Sequence, residues 1–111
     1  MEITPFVKIE IYIPPESLET ISEALHQAGA GMIGAYDHCL SLTDVTGRWR
    51  PLDTANPYLG AKGQIFSGPE IKVDVKCAWE NVQATLETIR KVHPYEEPVI
   101  HVIPLLNHLF E

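Results

Sequence analysis

The sequence predicts one α+β domain, residues 1–111, in which an antiparallel sheet carries two helices on one face in the ferredoxin-like order βαββαβ. Two observations predict this fold. Two segments alternate apolar and polar residues, and each is followed by apolar residues at helical spacing. These two halves also align without a gap, with Val7 on Ile71 and Leu25 on Ile89, so the chain contains a repeat of strand plus helix. Right-handed crossovers then place the first and third strands at the centre of the sheet.

The first half of the repeat begins with a strand from Phe6 to Ile13, where every second residue is apolar. Pro14 and Pro15 end this strand. A helix follows and ends at Gly29. Its apolar residues recur at helical spacing: Leu18, Ile21, Leu25 and Ala28.

The middle of the chain separates the two halves. Residues 31–50 predict a long strand or a hairpin, in which Asp44 to Gly47 would supply the turn. Residues 51–69 hold three Pro and three Gly with little periodicity and predict a long loop. Loops of this length inside a compact domain are usually functional or mobile.

The second half predicts a strand with Ile71 to Cys77 alternating, then a helix that ends before Pro94, and a last strand from Val99 to Pro104. One face of the predicted sheet has no helix to cover it, and it is therefore either solvated or an interface. Six polar side chains point to that open face: Lys8, Glu10, Tyr12, Lys72, Asp74 and Lys76.

Composition excludes several classes of partner. The formal charge is -7, with only 8 Lys and Arg, so the chain offers no basic stripe for nucleic acid or an anionic membrane. The N-terminal segment shows neither a basic leader nor a membrane span, and we expect a cytoplasmic protein. Cys39 and Cys77 are expected to remain reduced, because two cysteines do not indicate a disulfide framework.

Four motifs carry a resemblance to a known family: GAYDHC at 34–39, TGRWRP at 46–51, ANPYLG at 55–60 and HPYEEP at 93–98. Together they resemble the YqfO-type insert domain of the NIF-three-like family, whose members are often called GTP cyclohydrolase I type 2. The resemblance implies a fold similar to the PII and CutA proteins, which commonly form trimers, so a homo-oligomer, a trimer or dimer, is expected. It does not imply cyclohydrolase activity, because the family's dinuclear metal site lies in two halves that we expect to be absent here.

His38 is the first candidate for chemistry. If Tyr36 and His38 share a face, His38 would meet His93 or His101 from the opposite edge of the sheet or from another subunit, and such a pair of imidazoles would bind a divalent metal ion. The alternative is a histidine that is hydrogen-bonded for structure alone. His38 and Cys39 are not expected to share one ion, because neighbours on a strand point to opposite faces.

Two further groups of residues suggest a ligand site. The first is a turn held by prolines that carries an imidazole, a phenol and two carboxylates, from His93, Tyr95, Glu96 and Glu97. These groups are suited to acid–base chemistry or to binding a polar ligand. The alternative is that they make structural hydrogen bonds. Trp49 lies between Arg48 and Arg50, and together they would clamp an anionic ligand. The alternative is that Trp49 is an apolar anchor of the core or of a subunit interface.

The sequence thus predicts a small oligomeric binding or regulatory module with a metal ion or a small polar ligand at a cleft between subunits. The predicted ligand-binding residues are Tyr36, Arg50, Tyr95, Glu96 and Glu97, and the predicted metal ligands are His38 and His93. Two alternatives stay open: a metal-assisted hydrolase that uses the turn at 93–97, and a structural assembly partner.

Overall fold

Four antiparallel strands form one sheet, and two α-helices cover one of its faces, in a computed structural model that describes residues 1–111. The elements are β1 (Phe6–Ile13), α1 (Leu18–Gln27), β2 (Leu40–Trp49), β3 (Phe66–Ala78), α2 (Val82–Val92) and β4 (Ile100–Pro104). The strand order is β2-β3-β1-β4, so β1 and β3 are central. The predicted ferredoxin-like fold is confirmed.

The core lies between the helices and one face of the two central strands. Alternate residues of β1 and β3 are buried on this face, where Ile21 and Leu25 of α1 and Ile89 of α2 pack against them. Each such side chain stabilises the fold by about 1.5 to 3 kcal/mol. The strand residues in this core are Val7, Ile9, Ile11, Ile13, Val73, Val75 and Cys77.

The internal repeat of the sequence is also visible in the structure. A short 3-10 turn precedes each helix, at Pro15–Ser17 and at Trp79–Asn81. After α1 the chain reverses at Gly29, whose φ of 93° lies in the left-handed region that a residue with a side chain rarely adopts. Because the turns and the helix starts fall at equivalent positions, the two halves share one local structure.

The predicted turn at Asp44 to Gly47 is wrong. These residues lie within β2, which pairs without interruption with β3, so that Asp44 faces Ile71 and Gly47 faces Gly68. Gly47 is needed here for space rather than for a turn, because a Cβ atom on it would lie 2.1 Å from Oε1 of Glu70. The connection between the two strands is instead the segment 50–65, here called the long loop.

β3 begins at Phe66, earlier than the predicted loop from 51 to 69 allows. Pro69 is tolerated inside this strand because β1 pairs only with Ile71–Ala78, which leaves the earlier part of β3 with one free edge. A proline, which has no N–H to donate, loses nothing at such an edge. The β2–β3 hairpin therefore extends past the rest of the sheet.

The open face of the sheet carries a network of charges within one chain. Glu10 lies at its centre, 3.2 Å from the ammonium group of Lys8, 3.5 Å from that of Lys72 and 3.5 Å from Nδ1 of His101. The hydrogen bond from Lys8 holds the pKa of Glu10 below its usual value, and Lys72 and His101 act in the same direction. The predicted charges on this face thus pair both along and across strands.

Neither α-helix has the length and the continuous apolar surface that crossing a membrane requires.

Candidate ligand-binding site

A cavity of about 830 Å³ lies at one end of the open sheet face. Three parts of the chain enclose it: the last residues of β2, the long loop, and the turn at 93–99 that leads into β4. Tyr12 and Glu70 border it from the central strands. A cavity of this volume is in the range that binds small molecules in proteins.

Aromatic side chains form one wall of the cavity. Trp49 stacks on Phe66 with 4.6 Å between ring centroids, and the ring of Tyr95 lies 5.6 Å from that of Trp49 and 6.0 Å from that of Tyr58. The indole Nε1–H of Trp49 donates a hydrogen bond of 3.1 Å to the carbonyl of Leu59. This bond fixes the long loop over the wall and fixes the orientation of the indole.

A buried carboxylate marks the inner side of the cavity. Glu70 is only 7% exposed, although it belongs to a residue type that is almost never fully buried without a partner. Its side chain lies across Gly47, and it makes no ion pair with a basic residue. The cavity therefore holds an acceptor group that no basic side chain neutralises.

Tyr95 places a second polar group beside this carboxylate. Its hydroxyl is buried and makes no hydrogen bond of good geometry within the chain. Burial raises the pKa of Tyr95 far above its ordinary value, and the neighbouring Glu70 carboxylate acts in the same direction. Buried polar atoms without a partner are rare in folded proteins and often mark a functional site.

His93 holds the turn in place rather than facing the cavity. It is 7% exposed, and its Nε2 lies 2.8 Å from the carbonyl of Tyr12, which can only accept a hydrogen bond. Nε2 therefore carries the proton. Nδ1 accepts a hydrogen bond of 3.1 Å from the backbone N–H of Tyr95, so the neutral ring is fully satisfied.

Burial lowers the pKa of His93, against the hydrogen bond to Tyr12 and the charge of Glu70, which favour the protonated ring. The unfolded chain, in which the pKa of His93 is higher, therefore takes up a proton at a higher pH than the folded chain does. The stabilisation from His93 is complete above about pH 6.5, and it is lost as the pH falls toward the lower pKa of the folded state. His38 titrates with the opposite effect, because the hydrogen bond from its ring to the Asp37 carboxylate raises its pKa.

We therefore expect the stability advantage of the wild type over His93→Gln to shrink as the pH falls from about 7.5 to about 5, by at most about 1.4 kcal/mol per pH unit. Urea unfolding of both proteins across this range measures the difference, in which the effect of His38 cancels. A constant difference would contradict a neutral, hydrogen-bonded His93.

The rim of the cavity is polar. Glu96 accepts a hydrogen bond of 2.9 Å from the backbone N–H of Asn56, which ties the turn to the long loop. The hydroxyl of Tyr58 donates a hydrogen bond of 3.1 Å to Glu16 at the start of the first helical region. Three exposed charged residues complete the rim: Arg48, Arg50 and Glu97.

The cavity brings together Arg50, Tyr95, Glu96 and Glu97, four of the five predicted ligand-binding residues. The fifth, Tyr36, does not line it. Tyr36 is 73% exposed in a turn before β2, whereas the cavity reaches back along that strand only as far as Val45.

The two predicted metal ligands also lie apart within the chain. His93 uses both of its ring nitrogens on backbone groups at the turn. His38 precedes β2, where its ring stacks on His26 with 4.1 Å between centroids, rather than meeting His93 or His101. The predicted pairing failed within one chain because His38 precedes the strand instead of lying in the sheet.

Sequence reasoning missed several residues of these sites. Glu70 was missed because it directly follows a segment whose three prolines and three glycines predict a loop, and it lies before the regular alternation of β3. Gly47 was interpreted as a turn residue. His26 was hidden in a helix, although its position in the last turn of α1, close to the GAYDHC motif in the chain, was a usable signal.

No protein-family model matches the chain. Among curated proteins, the GTP cyclohydrolase 1 type 2 homolog of Bacillus subtilis is 34% identical over 101 residues, which is 91% of this chain and 27% of that protein. The protein of the same name from Listeria monocytogenes is 36% identical over 102 residues, again 91% of this chain and 27% of the relative. The chain thus spans about a quarter of the length of the curated relatives that it matches.

Comparison with solved structures points to the same family. A Bacillus cereus protein related to NIF3 superposes with a TM-score of 0.81 and 27% identity, covering 96% of this chain and 27% of that one. CutA1 from Ehrlichia chaffeensis, a divalent ion tolerance protein, gives a TM-score of 0.69 at 18% identity, with coverages of 96% and 86%. The PII-like protein CutA from a Nostoc species gives 0.67 at 22% identity, with coverages of 93% and 84%. The chain is therefore related to the NIF-three-like family over the length of one domain, as its four motifs predict, and its fold is that of the CutA and PII-like proteins.

Proposed function

We propose that this chain is a small cytoplasmic, homo-oligomeric binding or regulatory module that holds one small polar ligand in the cavity beside the turn at 93–99. The observation that carries the proposal is the pair formed by Glu70 and Tyr95. Glu70 is 7% exposed at the cavity, and the buried hydroxyl of Tyr95 lies beside it without a hydrogen bond of good geometry. A ligand that hydrogen-bonds to both groups would repay their burial.

The chemistry of the walls narrows the ligand class. Trp49, Tyr58 and Tyr95 offer ring faces for stacking, and Glu70 is an ionisable acceptor that favours a ligand with N–H groups. Arg48 and Arg50 at the rim suit an anionic substituent at the other end of the ligand. We therefore propose a flat, nitrogen-containing ring with a negatively charged group.

We further propose that the chain assembles as a trimer or a dimer and that the cavity lies at a cleft between subunits. The cavity opens on the sheet face that no helix covers, and the extended β2–β3 hairpin projects beyond the sheet, where a neighbouring subunit could contact it. β2 and β4 are edge strands with one row of unpaired backbone groups, which a second copy of the chain can use for pairing.

A thermal-shift screen of nucleobases, nucleoside monophosphates and aromatic amino acids tests the ligand proposal. A compound that binds only the folded protein raises its melting temperature. We expect at least one ring compound with an anionic group to stabilise the wild type, and Glu70→Gln to weaken that compound at least about tenfold, because a hydrogen bond to a charged acceptor contributes about 1.5 to 3 kcal/mol.

Glu19→Gln is the matched control, since Glu19 is an exposed carboxylate in the first turn of α1 and does not line the cavity. It should bind the compound as the wild type does. Equal binding by Glu70→Gln and the wild type would refute the role of the buried carboxylate.

The two alternatives make different demands. A metal-assisted hydrolase needs His93 free to act as a base or as a metal ligand. The metal part of this alternative draws on CutA1, which is named a divalent ion tolerance protein. In this arrangement both ring nitrogens of His93 are engaged, which supports the binding role instead. If this chain is purely a structural assembly partner, Glu70→Gln should change its stability and nothing else.

A further inference from the structure

A second cluster of polar side chains lies at the opposite end of β2 from the cavity. It joins His26 in the last turn of α1 to Asp37 and His38 in the turn before β2. One ligand atom from each of these three residues lies within 4.8 Å of the other two. The histidine rings are stacked, with 4.1 Å between centroids and 20° between planes.

His38 is held tightly although it is partly exposed. Its Nδ1 lies 2.9 Å from Oδ1 of Asp37, and its Nε2 lies 2.8 Å from Oε1 of Glu23 on α1. Its φ of 54° makes it the only residue other than glycine with a positive φ. Such a backbone conformation costs free energy, and it is most often retained at functional sites.

His26 supplies the observation that points to a ligand. Its Nδ1 is buried, yet it makes no hydrogen bond within the chain. A buried nitrogen without a partner costs about 1 to 3 kcal/mol, so such atoms call for an explanation. A network of ion pairs around His38 explains the positions of Glu23 and Asp37. It does not explain why Nδ1 of the adjacent His26 is left without a partner.

We propose that His26, Asp37 and His38, with Glu23 as a fourth group, form a binding site for one zinc ion. Two imidazoles and a carboxylate oxygen are ligands that Zn²⁺ accepts, and a water molecule as fourth ligand would complete its tetrahedral preference. Glu23 would remain hydrogen-bonded to Nε2 of His38, as metal-binding histidines usually require. Two carboxylates also balance the charge of a divalent ion.

Closing the site on an ion requires only a local change. Stacked rings direct their nitrogens side by side instead of toward one point, so one ring must rotate about its Cβ–Cγ bond, which is a soft torsion in histidine. The backbone is already fixed on both sides. Ile21 and Leu25 anchor α1 in the core, and the N–H of Cys39 donates a hydrogen bond of 2.9 Å to the carbonyl of Gly31.

This site is independent of the proposed ligand cavity, because the first five residues of β2 separate the two by about 17 Å. Its failure would leave the cavity proposal untouched, and the reverse also holds. None of its four residues lines the cavity.

Isothermal titration of the chelator-treated protein with Zn²⁺ tests the site. We expect one ion per chain, and we expect His26→Gln and His38→Gln each to weaken binding at least about tenfold. His108→Gln, which changes an exposed histidine near the C-terminus, should bind as the wild type does. Circular dichroism verifies that each variant is folded.

Nuclear magnetic resonance of the histidine ring nitrogens in the wild type gives a readout that needs no substitution. Zn²⁺ should shift one ring nitrogen of His26 and one of His38, and it should leave those of His93 and His108 in place. The proposal is overturned if Zn²⁺ does not saturate a site, if binding survives both substitutions, or if the resonances of His26 do not move.

Discussion

Replacing His93 with alanine should lower the free energy of unfolding by about 2 to 5 kcal/mol. The substitution removes both hydrogen bonds of a ring that is 7% exposed, and it leaves the carbonyl of Tyr12 and the N–H of Tyr95 without their partners. Each unsatisfied backbone group contributes about 1 to 3 kcal/mol to the loss. Equilibrium unfolding in urea measures the change.

His108→Ala is the matched control, because His108 is exposed and lies in the C-terminal 3-10 turn. It should change the free energy of unfolding by less than about 0.5 kcal/mol. The His93→Ala protein should also lose ligand binding, since Tyr95 depends on that turn for its position. A stability equal to that of the His108→Ala control would show that His93 does not anchor the turn.

Gly47→Ala should remove ligand binding while leaving the fold nearly as stable. The new Cβ would lie 2.1 Å from Oε1 of Glu70, so the carboxylate must leave its position at the cavity. Cδ and Cγ of Glu70 would also clash, so its whole side chain must rotate about the Cα–Cβ bond, which it can do without a change of the backbone. Alanine also loses less conformational freedom in a strand than glycine, which offsets part of the cost of that rotation. We expect binding to weaken at least about tenfold, as for the loss of a hydrogen bond to a charged group.

Thr43→Ala provides the comparison for Gly47→Ala. Thr43 is an exposed residue of the same strand, pairs with Lys72 and does not line the cavity. Thermal-shift titration with the compound selected on the wild type should give unchanged binding for Thr43→Ala. Wild-type affinity in Gly47→Ala would mean that the ligand does not depend on the position of Glu70.

The fold could be predicted because its main signals are local. Alternation in β1 and β3 and the gapless repeat determine which faces are buried, and the crossover rule then orders the strands. The extent of the β2–β3 hairpin could not be predicted, because Gly47, Gly68 and Pro69 are turn-forming residues in most contexts. Here the two glycines make room for the side chains of Glu70 and Phe66, which lie across the sheet.

Part of the candidate site could be predicted because its signal is also local in the chain. Tyr95, Glu96 and Glu97 are adjacent in the chain, so their convergence follows from one turn. Glu70 joins them only through the pairing of β3 with its neighbours, which sequence spacing does not reveal. His26 meets His38 only through the approach of the turn before β2 to α1.

Native mass spectrometry of the untagged protein, purified without chelator, tests the proposed ligand site most directly, because it reports the number of subunits and any bound mass together. We expect a trimer or a dimer that carries a small organic molecule in each cavity, and we expect this added mass to disappear in Glu70→Gln while the number of subunits stays the same. A monomer, or an added mass that Glu70→Gln retains, would contradict a ligand site built on Glu70 and Tyr95 at a cleft between subunits.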